Sequence, residues 1–190
     1  MSFYRRRLPH WCPEGASIFL TWRLFGTLPT VAQADSLPTE GQRFAAQDRL
    51  LDLAASGPRW LQRPDVAACV AETLLLGERV WRKYDLWAWV IMSNHVHVLL
   101  TPHIEMSKVT RAIKSYSARK ANEILGRTGK PFWQVESYDH WVRKEEEMNR
   151  VIRYIEWNPV KAGLVERIED WPWSSTGQAA SLPHVCYSSV

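Results

Sequence analysis

The stretch "DLWAWVIMSNHVHVLLT", residues 85–101, decides the architecture. Its two halves are rich in β-branched and aromatic residues and are separated only by Ser93 and Asn94, a pair suited to a tight turn. The segment therefore reads as an antiparallel hairpin. On a strand, residues i and i+2 point to the same face, so His95 and His97 project together while Val96 and Val98 point the other way. Two imidazoles side by side come within reach of one divalent ion that takes its other ligands from oxygen. Ordinary packing accounts for the same spacing, and the pair alone leaves both readings open.

Outward from the hairpin, "SIFLTWRLFG" (17–26) has strand composition and stops at Gly26. Helices are expected over about residues 40–55, ended by Gly57-Pro58, and over about 65–82, with Pro64 at its first turn. The first of these reads as a helical insertion near residues 30–60, because it buries little without the second. Residues 106–125 show helical apolar spacing through Val109, Ala112, Ile113, Tyr116 and Ile124, with Gly126 as a stop. "PFWQVESYDHWV" (131–142) looks extended. "EEEMNRVIRYIEWNP" (145–159) returns to a helix, with acids in its first turn, Met148, Val151, Ile152 and Ile155 on one face, and an end at Asn158-Pro159. The order predicts a single α+β domain over residues 1–190, ferredoxin-like βαββαβ, with a mainly antiparallel sheet and helices packed on one face.

A net charge of +4 and a pI near 9.1 are modest, so the distribution of charge matters more than its total. Arg5, Arg6 and Arg7 open the chain, and the segment from Lys108 to Lys130 holds Lys108, Arg111, Lys114, Arg119, Lys120, Arg127 and Lys130 against one acid, Glu123. Cys12, Cys69 and Cys186 are far apart and suggest neither a disulfide framework nor a zinc knuckle. No stretch reaches the roughly 18 apolar residues of a membrane span, and the first residues lack a leader's apolar core. The expectation is a soluble, cytoplasmic protein with no membrane partner.

Counted at 100° per residue, Tyr116 lies on one stripe with Val109, Ile113 and Lys120, the side expected to face the sheet. The basic residues flank this stripe. A phenol, a phosphate and a metal could then meet between helix and sheet.

These residues resemble the single-tyrosine HUH transposases, most closely the REP-associated branch. The matching stretches are "VIMSNHVHVLLTP" (90–102), "AIKSYSARKAN" (112–122), "KPFWQVESYDHWVR" (130–143) and "VIRYIEWNPVKAGLVERIEDWPWSS" (151–175). The resemblance implies a ferredoxin-like fold, His95 and His97 as metal ligands, Tyr116 as nucleophile and Mg²⁺ or Mn²⁺ as cofactor. It implies nicking and joining of single-stranded or hairpin, REP-like DNA through a 5′-phosphotyrosine intermediate, by a monomer or a homodimer. Arg5, Arg6, Arg7, Lys108, Arg111, Lys114, Arg119 and Lys120 are the expected DNA contacts. Related enzymes often draw a third metal ligand, Gln or Asn, from the turn after the tyrosine. Here that position is Lys120, which leaves Asn122 or Glu123 as candidates.

Three features stand beside this reading. Tyr138 and His140 share a strand face and form a rival pair. Arg153, Tyr154 and Asn158 match a family segment but read mainly as helix, proline stop and turn. Lys120 in place of an oxygen ligand supports an alternative function, a DNA-binding regulator that has lost catalysis.

Overall fold

The computed structural model describes residues 15–27, 39–53 and 56–177. In chain order they form β1 (Ser17–Arg23), α1 (Glu40–Leu53), α2 (Pro64–Arg79), β2 (Tyr84–Ile91), β3 (His95–Pro102), α3 (Met106–Ile124), β4 (Tyr138–Val142) and α4 (Glu145–Lys161). The four strands make one sheet in the order β2-β3-β1-β4, and each neighbouring pair is antiparallel. This is the strand order of the expected ferredoxin-like arrangement.

The hairpin turn falls at Ser93-Asn94, closed by the Met92 N–H donating to the His95 carbonyl at 2.9 Å. Strand β3 lies between β2 and β1 and is buried from His95 to Leu100, so its alternation feeds two separate interiors. Val96, Val98 and Leu100 join Ile18, Leu20 and Trp22 of β1 in the larger apolar cluster, against Val66, Val70 and Leu74 of α2 and Val109 and Ile113 of α3. Leu99 joins Phe19, Val90, Val142 and Ile155 in the smaller one, with Phe44 of α1 and Val151 and Ile152 of α4 packed against it.

The α+β antiparallel expectation is met, with one correction. Helices α2 and α3 share one face as expected, while α1 and α4 cover the other. The reason is β3 itself, which carries apolar side chains on both faces and so needs cover on both.

A second correction concerns the end of α4. The helix runs through Pro159 to Lys161. A proline this close to a helix end removes one ladder bond and little else. The Ala162 N–H then donates to the Asn158 carbonyl and the Leu164 N–H to the Pro159 carbonyl, both at 2.9 Å. The extra residues place Lys161 one turn beyond Trp157, facing α1.

Candidate metal centre

His95 and His97 both point to the α1/α4 face and are fully buried. Their Nε2 atoms lie 3.1 Å apart. The far nitrogen of each ring is held by a hydrogen-bond partner. Nδ1–H of His95 donates to the Asn94 side-chain oxygen at 2.7 Å, and the Asn94 amide in turn donates to the Leu51 carbonyl of α1 at 3.1 Å, which fixes its orientation. Nδ1 of His97 is bonded to the hydroxyl of Thr21, its cross-strand neighbour on β1, at 2.7 Å. With Nδ1–H spent on Asn94, the Nε2 lone pair of His95 is turned toward Nε2 of His97. An orienting bond on the outer nitrogen is the usual setting of a ligating histidine.

Asp48 of α1 completes the group. Its Oδ1 lies 3.1 Å from Nε2 of His97 and 3.8 Å from Nε2 of His95. Asp48, His95 and His97 offer three ligand atoms within 4.8 Å of one another, all buried, a set that could hold a metal ion. Oδ1 of Asp48 has no well-aligned hydrogen bond despite its burial, as does Oδ1 of Asp52 one turn on. Two imidazole nitrogens and a buried carboxylate oxygen converge on one point, a donor set of the kind that binds divalent ions. The donors present therefore fit a divalent cation.

The electrostatics agree. Burial and the neighbouring His97 hold the His95 imidazole well below its ordinary pKa, so it is neutral at pH 7, as a ligand must be. Burial pushes the Asp48 carboxyl up, but its bond to His97, the two imidazoles and the Tyr154 hydroxyl outweigh this and hold it below the usual carboxylate range. The Asp52 carboxyl is raised, first by burial and then by the Asp48 charge beside it. Lys161 bridges the two acids, with Nζ 3.0 Å from Oδ2 of Asp48 and 2.9 Å from Oδ2 of Asp52.

Tyr154 of α4 reaches this group. Its hydroxyl donates to Oδ2 of Asp48, and its ring centroid is 5.6 Å from that of His97. Burial, and then the charge of Asp48, raise its phenol well above the ordinary value. One turn on is Asn158, whose fully buried amide has no well-aligned partner for either its oxygen or its nitrogen, with the Tyr154 phenol beside it.

Tyr116 does not meet the histidines. It lies on α3, across the sheet, where its ring packs edge-on to Trp81 at 5.3 Å and under the Arg119 guanidinium. The buried stripe of α3 runs through Val109, Ile113, Ser117 and Ala121, one residue round from the expected line, and it packs on the face that Val96 and Val98 share. The third-ligand candidates fall with it. The Asn122 amide donates to the Lys130 carbonyl at 2.8 Å, and Glu123 pairs on the surface with Arg119 and Lys120. Lys108 pairs with Glu105, and Lys114 donates to the carbonyls of Gln134 and Val135, so these basic residues also sit on α3, away from the metal group. Arg111 is exposed on the same helix, and Arg5, Arg6 and Arg7 lie outside the described residues.

Asp48 stands outside the sequence-predicted ligands because it belongs to α1, whose sequence reads as an insertion. The available signal was an acid in the apolar stripe of that helix, between Phe44 and Leu51. In α4 the corresponding signal was Tyr154 and Asn158, four apart on a stripe with Val151 and Ile155.

A family model described as "Transposase IS200 like" matches residues 77–158, the span from the end of α2 through most of α4. Over residues 77–158 the chain is similar to the IS200-like transposases. The IS200-like span includes His95, His97, Tyr154 and Asn158, whereas Asp48 lies outside it. The REP-associated tyrosine transposase of Escherichia coli (strain K12) is 29% identical over 97 residues, which are 50% of this chain and 55% of that protein. A putative REP-associated tyrosine transposase of Haemophilus influenzae is 42% identical over 43 residues, 23% of this chain and 24% of that protein. The match thus spans about half the length of the first of these relatives. Among solved structures, a REP-associated tyrosine transposase bound to a REP hairpin superposes with a TM-score of 0.55 at 21% identity, covering 100% of this chain and 93% of the other. That likeness shows a shared fold. No helix among the described residues is long and apolar enough to cross a membrane.

Proposed function

We propose that the protein is a metal-dependent endonuclease and strand transferase acting on single-stranded or hairpin DNA, with Tyr154 as its nucleophile in place of Tyr116. The observation that carries this is the hydrogen bond from the Tyr154 hydroxyl to Asp48, within the His95, His97 and Asp48 group. The solved relative's complex with a REP hairpin supports hairpin DNA as the substrate class.

His95, His97 and Asp48 would hold the cation, and Asn158 is placed one turn after the tyrosine to offer an amide oxygen. Imidazole and oxygen donors together suit a divalent ion, and Mn²⁺ or Mg²⁺ is our proposal. Bound there, the ion would polarise the phosphoryl oxygen and stabilise charge on the departing 3′-oxygen.

Tyr154 Oη attacks phosphorus, a bond forms from Oη to the 5′-phosphate, and the bond to the 3′-oxygen breaks. The phenolic proton passes to the carboxylate that already accepts it, and the 3′-oxygen leaves as a hydroxyl once protonated. Lys161, between Asp48 and Asp52, keeps positive charge beside the phenol, where the attacking oxygen becomes negative. Bond energy stays in the phosphotyrosine, so the joining step reverses the chemistry without a nucleotide cofactor.

The regulator alternative drew its support from Lys120. Lys120 pairs with Glu123 on the opposite side of the sheet and has no bearing on the metal group. The basic residues of α3 remain our proposal for DNA-backbone contacts at a distance from the cut.

The test is incubation with Mn²⁺ or Mg²⁺ and labelled single-stranded hairpins from around the protein's own gene. A covalent adduct is expected that is lost in Tyr154→Phe and kept in Tyr116→Phe. The opposite pattern sinks the assignment.

A further inference from the structure

We propose that the cavity beside Tyr154 is a nucleobase pocket that takes one unpaired base of the strand whose phosphate Tyr154 attacks. The proposal rests on Tyr154 as nucleophile and adds the part of the substrate that is read next to the cut.

The cavity, about 600 Å³ in volume, lies between α1, β4 and α4. Its size is in the range of ligand sites and accommodates a base with its sugar. The apolar side is aromatic. Phe44 and Tyr138 stack with ring centroids 4.2 Å apart, and Tyr154 is tilted 6.2 Å from Phe44. Every base has a π face, so such a wall holds a base without demanding a sequence.

The polar side can read an edge. His140 Nε2 is 2.8 Å from one carboxylate oxygen of Glu147, and the other oxygen accepts the Arg143 N–H at 2.9 Å. One oxygen of Glu147 thereby holds the histidine ring, and the other ties the carboxylate to the backbone. In the tautomer that donates Nε2–H to Glu147, Nδ1 is an acceptor. Arg150, exposed one turn after Glu147, brings guanidinium donors to the same cavity. An acceptor nitrogen and a donor fork together match the mixed edge of a base.

Position ties the cavity to the chemistry. Tyr154 lines it with its ring while its hydroxyl bonds Asp48 of the metal group, so a base seated there lies beside the attacked phosphate. The exposed Arg153 continues the basic edge of α4 along the path of the strand. Duplex DNA cannot present a base this way, which favours an unpaired arm.

The test uses the full chain, with Tyr154→Phe to hold binding apart from turnover. A hairpin with an unpaired arm, from around the protein's own gene, is compared with versions carrying one abasic nucleotide at each arm position, and with versions carrying 2-aminopurine. One abasic position is expected to weaken binding by about 5- to 150-fold, the range for losing one base–aromatic stack. At that position 2-aminopurine fluorescence should be quenched, Phe44→Leu should abolish both effects with the fold intact by circular dichroism, and Arg150→Ala should flatten base preference. A flat abasic scan, or a sensitive position indifferent to Phe44→Leu and Arg150→Ala, overturns the pocket. Adduct formation with a flat scan leaves Tyr154 standing without the pocket. A sensitive position with no adduct under either metal leaves the pocket and removes the nucleophile.

Discussion

The two faces of the sheet are built from the same strands and do different work. Toward α2 and α3, β3 sends Val96, Val98 and Leu100 into a continuous apolar interior. Toward α1 and α4 it sends His95, His97 and Leu99, and the interior there mixes a small apolar cluster with Asp48, Asn158 and the phenol of Tyr154. The α2/α3 face buries few polar groups, among them the Ser117 hydroxyl, which donates to the Ile113 carbonyl and accepts from Trp133 Nε1–H, whereas the other face gathers several around one point. The larger apolar cluster lies on one side of the sheet and the candidate metal ligands on the other.

The sharpest break between the faces is expected from two tyrosines. Tyr154→Phe should reduce covalent DNA adduct on the order of 10³-fold or more, as loss of a nucleophile does, with an unchanged melting curve. Next in size is a core truncation on the α2/α3 face. Ile113→Ala should cost about 2–5 kcal/mol of unfolding free energy in urea titrations, while Mn²⁺ affinity per folded molecule stays the same.

A smaller effect is expected from the partner of His97. Thr21→Val removes the hydroxyl that holds Nδ1 and should weaken Mn²⁺ binding about 10- to 100-fold by calorimetry, with little change in the metal-free melting temperature.

The pH dependence should also separate the faces. His95 has a lowered pKa when folded, so between that value and the ordinary value near 6.5 the unfolded chain binds a proton that the folded one does not. Stability is then present in full above about pH 6.5 and falls as pH drops below it. Metal affinity should fall in the same direction, since protons compete for the imidazoles. Melting curves from pH 7.5 to pH 5 should show this slope, and His95→Gln should flatten it. Smallest of all, Tyr116→Phe should leave adduct yield within about twofold and stability within about 0.5 kcal/mol, as for a surface substitution. A large loss of adduct in that variant would erase the contrast between the faces.

The hairpin and the shared face of His95 and His97 were legible in the sequence, because strand alternation is a local rule that depends on neighbouring residues alone. Which tyrosine reaches the histidines was not. An apolar stripe on a helix shows that it packs, and the stripes through Ile113 and Ile155 are equally good; neither says which face of the sheet it will cover. The expected line through Tyr116 and Lys120 was also one residue off the buried line through Ser117 and Ala121. Asp48 stood in a helix with weak amphipathic character, and only its packing against Asn94 and His97 gives its acid a purpose.

By itself, then, the sequence determined that two imidazoles project together from a β-strand in an antiparallel α+β domain, since backbone geometry over a few residues requires it. Tertiary structure alone decided that Tyr154, Asp48 and Lys161 gather around them and that Tyr116 does not. Those side chains come from helices up to 113 residues apart in the chain, and the side of a sheet on which a helix lands is set by the crossovers and the burial needs of the whole domain.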